Sequence, residues 1–165
     1  MIEIKINNEQ FKRAEKLYEF KELKGSITKG ESNIYGAVGE IVVNDYYLNK
    51  GVNVDFTSTF DYDLIIDNYK VDVKTKKYTS KFKPNMKWNL NISDYNTTQK
   101  CDFYFFIGVS DDFSNAFLYG YIDNKTFYAK AIFNKKNKID PNGNGLWRFK
   151  DDCYNLPISS LEKLK

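Results

Sequence analysis

Apolar positions in the first fifty residues recur every three or four residues, and this spacing predicts two helices. The first covers residues 8–23, with lysine and glutamate side chains on its other face. The second begins at Ser32 or Asn33 and ends at Leu48. The chain therefore opens with two amphipathic helices joined by a polar segment.

Gly36 and Gly39 lie inside the second predicted helix. Each glycine weakens an isolated helix by roughly 1 kcal/mol, because it loses more backbone freedom on folding than other residues do. A glycine also lets another backbone approach closely, so we expect tight packing at these positions.

The pattern then changes to short alternating or continuous apolar segments, which predict strands. The predicted strands are residues 52–58, 62–66, 69–76, 88–92, 101–109 and 117–122. Polar residues predict loops at 78–87 and 134–145. A third helix is predicted at 125–133, with Asp123 or Asn124 as its N-cap. This order predicts an α/β (α+β) fold with a mixed central sheet flanked by helices.

Composition narrows the class of protein. A chain of 165 residues with 42% hydrophobic and 17% aromatic residues is expected to form one domain, residues 1–165, with one core. The chain has no histidine, which excludes imidazole catalysis and histidine-ligated zinc. Its net charge of +3 is weak evidence for a polyanionic partner. Without an apolar signal region or a long apolar stretch, a cytoplasmic protein with no membrane partner is expected.

Two carboxylates meet in the segment that spans the second and third predicted strands. If Asp67 and Asn68 form a two-residue hairpin turn, Asp63 lies opposite Asp72, and Lys74 shares the face of Asp72. Opposed carboxylates repel unless a cation lies between them, and oxygen ligands favour Mg²⁺ or Mn²⁺. The alternative is an edge hairpin whose aspartate and lysine side chains are simply solvated.

Glu40 interrupts an apolar stretch of the second predicted helix. On a helical wheel it flanks the apolar stripe, so it could face inward at the edge of the sheet. The alternative is a boundary glutamate that reaches solvent.

The order of these residues resembles that of the PD-(D/E)xK nuclease superfamily, whose fold is called restriction-endonuclease-like. Glu40 ends a GxxGE helix segment, Asp63 begins a strand, and Asp72-Val73-Lys74 follows nine residues later. The resemblance covers residues 34–76, and 100–133 more loosely, which implies an αβββαβ catalytic core at about residues 33–133. Tyr62 stands where the motif has proline, and aspartate at 72 where glutamate is commoner, but neither change removes a metal-binding oxygen.

The resemblance implies a metal-dependent DNA phosphodiesterase. Asp63, Asp72 and the Val73 carbonyl would hold Mg²⁺, with Mn²⁺ as a substitute, and Glu40 would assist directly or through water. Lys74 would position or activate the attacking water, or else contact phosphate only. Candidate DNA contacts are Lys76, Lys77, Lys81, Lys83, Lys87 and Gln99, the last being where some nuclease families place a polar active-site residue.

An endonuclease of restriction, homing, repair or junction-resolving type is therefore the expected function. Cleavage of both strands would require a homodimer or higher homo-oligomer. An exonuclease, a non-catalytic nucleic-acid-binding module of the same fold, and a protein-interaction domain remain as alternatives.

Overall fold

Residues 1–23, 32–57, 59–140 and 148–164 are described by a computed structural model. The helices are α1 (Asn8–Leu23), α2 (Ser32–Leu48) and α3 (Asn124–Lys130). The strands are β1 (Ile2–Lys5), β2 (Val54–Phe56), β3 (Leu64–Ile66), β4 (Tyr69–Tyr78), β5 (Asn89–Ser93), β6 (Phe103–Ser110), β7 (Asn115–Asp123), β8 (Ile132–Asn134) and β9 (Cys153–Pro157). None of the helices in these ranges is both long and apolar enough to cross a lipid bilayer.

The strands form two sheets. The larger has the order β1-β7-β6-β4-β3-β2, and the smaller has the order β5-β9-β8. Within the described residues β4 and β6 are the one parallel pair, and every other strand pair is antiparallel. The protein is therefore mixed α/β, with a mixed sheet flanked by helices, as predicted.

The β3–β4 hairpin has the predicted turn and register. Asp67 and Asn68 both adopt positive φ, 47° and 71°, as a two-residue type I′ turn requires. Leu64 pairs with Val71 and Ile66 with Tyr69, which confirms the register on which the carboxylate argument depends.

The C-terminal part differs from the prediction of a helix over 125–133. α3 begins after Asp123, whose side chain accepts a hydrogen bond from the Thr126 amide, and it ends at Lys130. The apolar residues that follow form β8, which pairs with β9. Neither β9 nor β1 is predicted as a strand from the sequence. β8 and β9 stabilise each other although about twenty residues separate them in sequence. The local spacing of apolar residues therefore predicts neither strand. Residues 141–145 of the predicted 134–145 loop lie outside the described part.

The two faces of the larger sheet are covered differently. On one face α1 and α2 pack against a core that includes Val71 and Val73 of β4. On the other face, Tyr104 and Phe106 of β6 pack with residues of the smaller sheet and with Phe127 of α3. Since side chains alternate along a strand, Asp72 and Lys74 share this second face.

One of the two helical glycines makes the expected tight contact. A Cβ atom at Gly39 would collide with the hydroxyl of Thr75 on β4 and press on a methyl group of Ile107. At Gly36 a Cβ would meet nothing within 4 Å, so the expectation is wrong there. Gly39 therefore sets how closely α2 crosses β4, one residue beyond Lys74.

Candidate active site

The candidate site lies where β4 loses one of its two neighbours. β3 pairs with β4 only as far as Val71, whereas β6 accompanies β4 to Tyr78. Among the described residues, β4 from Asp72 onward thus has one edge without a strand partner. A ligand can approach β4 along that edge.

Asp63 lies at the point where β3 separates from β4. Its backbone amide donates to the Val71 carbonyl at 3.0 Å. Its carboxylate Oδ2 accepts from the Val73 amide at 2.9 Å. In a regular antiparallel ladder the Val73 amide would donate to the Tyr62 carbonyl. Here the Tyr62 carbonyl accepts from the hydroxyl groups of Thr57 and Thr59 instead. Asp63 therefore lies beside β4, next to Asp72. Its carboxylate is held by the Val73 amide, and the two aspartates are not a regular cross-strand pair.

Asp72, Lys74 and Gln99 form a connected polar cluster. Asp72 is 4% exposed, and its Oδ2 forms an ion pair with Lys74 Nζ at 2.5 Å. Lys74 Nζ also donates to Gln99 Oε1 at 3.1 Å. The structure thus brings together Asp63, Asp72, Lys74 and Gln99, four residues that the sequence singled out.

The segment that carries Asp63 is held against the segment that carries Gln99. Gln99 Nε2 donates to the Phe60 carbonyl at 2.7 Å, and the Lys100 amide donates to Asp61 at 3.1 Å. These two bonds connect residues far apart in sequence. They position Asp63 and Lys74 from outside the hairpin.

The backbone at Val73 offers one more oxygen. In a strand, the N–H and C=O of one residue point to the same edge. The Val73 amide points to Asp63, so the Val73 carbonyl also faces the open edge of β4. This orientation suits the predicted role of that carbonyl as a metal ligand.

Glu40 belongs to α2, on the helix side of the sheet. It is 4% exposed and directly follows Gly39, which contacts Thr75. α2 packs on the face of Val71 and Val73, opposite the face of Asp72. The role of Glu40 in metal binding stays a prediction.

Across the described ranges, no three acidic or cysteine side chains form a group that could hold a metal ion. Glu40, Asp63 and Asp72 therefore do not form a preassembled three-carboxylate site. Mg²⁺ commonly binds through one or two carboxylates and completes its coordination with water and substrate phosphates. Two aspartates and a carbonyl fit that pattern, and we expect weak metal binding in the absence of nucleic acid.

A groove of about 880 Å³ runs from Lys74 along the open edge of β4 to the smaller sheet. Its basic lining residues are Lys74, Lys76, Lys77 and Lys150. Lys76 Nζ donates to the Asn89 carbonyl at 2.6 Å and lies 5.8 Å from the centre of the Trp88 ring. Burial lowers the pKa of Lys76, and the negative charge of Asp140 opposes this shift.

The other predicted DNA contacts are more scattered. Lys81, Lys83 and Lys87 are exposed and do not line this groove, and Lys83 pairs with Glu3 of β1 at 3.1 Å. Lys150 lines the groove but was not singled out from the sequence. It lies more than seventy residues after Lys76 in an irregular segment, so no local pattern marks it.

Burial raises the pKa of Asp72 to about 7. The nearby Lys74 ammonium opposes this shift and the Asp63 carboxylate adds to it. Between the ordinary aspartate pKa of about 4 and pH 7, the unfolded chain releases this proton while the folded chain keeps it. The contribution of Asp72 to stability is therefore full below about pH 4 and declines as the pH rises to about 7.

We expect Asp72→Asn to stabilise the metal-free protein at pH 8, because an amide cannot ionise in this buried position. The free energy of unfolding should rise by about 1–3 kcal/mol at pH 8 and change much less at pH 4. Urea denaturation at both pH values measures the difference. Asp55→Asn, at an exposed position of β2, is the control. An equal effect of Asp72→Asn at both pH values would contradict the raised pKa of Asp72 in the folded protein.

No protein-family model matches this chain, and no curated protein sequence matches it significantly.

Proposed function

We propose that the protein is a Mg²⁺-dependent nuclease that hydrolyses phosphodiester bonds in DNA. The observation that carries this proposal is the position of Lys74. Its ammonium contacts the buried Asp72 carboxylate and Gln99, and it stands at the end of a lysine-lined groove. A carboxylate pair beside an amine suits metal-assisted hydrolysis of a phosphate ester.

The topology supports a restriction-endonuclease-like core, which is part of the proposal. A helix, three successive antiparallel strands and a parallel neighbour of the third strand correspond to α2, β2, β3, β4 and β6. The connection from β4 to β6 differs from the αβββαβ plan. It contains β5 and a short 3₁₀ helix, Asp94–Thr98, in place of an α-helix.

Asp63, Asp72 and the Val73 carbonyl would hold the metal, and Glu40 would assist through water. When bound, Mg²⁺ lowers the pKa of a water molecule and offsets the charge that develops on the phosphate. The Asp72 oxygen that now contacts Lys74 would become a metal ligand. Lys74 would then turn its ammonium toward the attacking water or a phosphate oxygen while Gln99 keeps it in place.

The groove would bind the phosphate backbone of the substrate. Three lysines of β4 and Lys150 line the groove and offer a path for a polyanion, and binding of this kind weakens as salt concentration rises. Within this proposal we favour an endonuclease, and an exonuclease is the alternative. Since each chain carries one site, cleavage of both strands would require a homodimer or larger oligomer.

A non-catalytic DNA-binding module is the second candidate. The ion pair between Lys74 and Asp72 favours it, because each charge is then compensated without a metal ion. In that case the pairing of Lys74 with Asp72 would serve stability and the groove would serve binding alone.

Cleavage of supercoiled and linear plasmid DNA in Mg²⁺, Mn²⁺ and EDTA tests the proposal. We expect nicked and linear products with either metal and none in EDTA, because the carboxylates need a divalent cation to act on phosphate. Conversion of circular DNA distinguishes an endonuclease from an exonuclease, which requires an end. Salt-dependent binding without cleavage in all three conditions would favour the non-catalytic module, and neither binding nor cleavage would refute both.

A further inference from the structure

Phe60 and Tyr95 form an exposed pair of aromatic rings. Their side chains are 47% and 53% exposed. The ring centroids lie 5.5 Å apart with an interplanar angle of 74°, an edge-to-face arrangement. Burial of an aromatic ring is favourable, and two neighbouring rings that stay exposed to water indicate a binding surface.

This aromatic pair is connected to the candidate site through Gln99. The Phe60 carbonyl accepts from Gln99 Nε2 at 2.7 Å, while Gln99 Oε1 accepts from Lys74 Nζ at 3.1 Å. Tyr95 belongs to the 3₁₀ helix that ends at Thr98, directly before Gln99. Gln99 therefore links Lys74 to the Phe60 backbone, and it directly follows the short helix that carries Tyr95.

The aromatic pair lies outside the basic groove that Lys74 lines. The groove begins at Lys74 and continues along β4 toward Thr79, and neither Phe60 nor Tyr95 lines it. Because Gln99 joins Lys74 to the Phe60 backbone, a strand whose phosphates follow the groove to Lys74 would place a neighbouring nucleotide near the aromatic pair. Of the groups on a nucleic acid, the base is the one with a flat apolar face that suits these rings.

We propose that Phe60 and Tyr95 stack on an unpaired base next to the bond that is cut, so that single-stranded or branched DNA is the preferred substrate class. This inference rests on the proposed nuclease function. In a duplex, each base has both faces covered by its neighbours, so only an unpaired and unstacked base can offer a face to the protein. Stacking of this kind tolerates every base, which predicts a preference for DNA structure over sequence.

The test compares wild type with the double variant Phe60→Leu/Tyr95→Leu. Leucine keeps apolar volume on the surface but removes the aromatic face. Binding is measured in Ca²⁺ by fluorescence anisotropy, with a short single-stranded oligonucleotide and a duplex of the same sequence. We expect the double variant to bind the single strand about 10–100-fold more weakly and to bind the duplex almost as wild type does.

Tyr69→Leu is the matched control, since Tyr69 is 55% exposed but shares the face of Val71, opposite Asp72. We expect it to bind both DNAs as wild type does. An adenine analogue that fluoresces less when stacked, 2-aminopurine, provides a second readout in the single strand. Its fluorescence should fall on binding to wild type and fall less with the double variant.

The outcomes separate this inference from the proposed function. If wild type cuts plasmid DNA but the double variant binds the single strand unchanged, the stacking site is refuted and the nuclease stands. An equal loss on single strand and duplex also refutes it, because it indicates a general contact. If wild type neither binds nor cuts DNA, both proposals fail.

Discussion

Asp72→Asn is expected to abolish DNA cleavage, with a fall in rate of at least about 10³-fold, while the protein remains folded. Asparagine has nearly the same shape as aspartate but lacks the negative charge that would hold a divalent cation. The same substitution should stabilise the metal-free protein at pH 8, as argued above. Loss of activity together with a gain in stability would indicate that the carboxylate is kept for function. Single-turnover cleavage with saturating Mg²⁺, alongside circular dichroism, measures both properties.

Asp102→Asn is the matched control for this substitution. Asp102 is exposed and immediately precedes β6, and its Oδ2 accepts from the Lys70 amide at 2.8 Å. Asparagine retains an oxygen that can accept this bond, so activity should stay close to that of wild type. Cleavage by Asp72→Asn at the wild-type rate would remove Asp72 from the metal site, and an equal loss in both variants would point to a general effect of charge.

The hairpin could be predicted from the sequence because its determinants are local. The turn residues tolerate positive φ, and the two-residue turn fixes which residues face each other from Leu64 to Val71. The proximity of Asp63, Asp72 and Lys74 follows from that register and from strand alternation. The detailed geometry of Asp63 could not be predicted, because it depends on Thr57 and Thr59 taking over the Tyr62 carbonyl.

The surroundings of the site depend on contacts between distant parts of the chain. Gln99 reaches Lys74 across 25 residues, and its position became clear only with the fold. The smaller sheet, which forms one side of the groove, joins β5 to β9 across about sixty residues. An alternating pattern identifies a strand but not its partner, so neither the groove nor Lys150 could be placed from sequence.

Lys74→Met is expected to lower kcat for DNA cleavage by about 10²–10⁴-fold and to leave KM nearly unchanged. Methionine preserves the apolar stem of the side chain, while the loss of the ammonium removes the group that faces the water or the phosphate. Asp72 would lose its ion-pair partner, but its raised pKa allows it to take up a proton, so the fold should persist in the absence of metal.

Lys76→Met distinguishes catalysis by Lys74 from a phosphate contact. Lys76 lies two residues further along the same face of β4 and donates to the Asn89 carbonyl within the groove. We expect its loss to raise KM and to lower the dependence of binding on salt, with little change in kcat, because its proposed role is to contact the DNA backbone and not the reacting phosphate. If Lys74→Met shows that same profile, Lys74 serves binding alone, and the water must be activated by the metal without help from an amine.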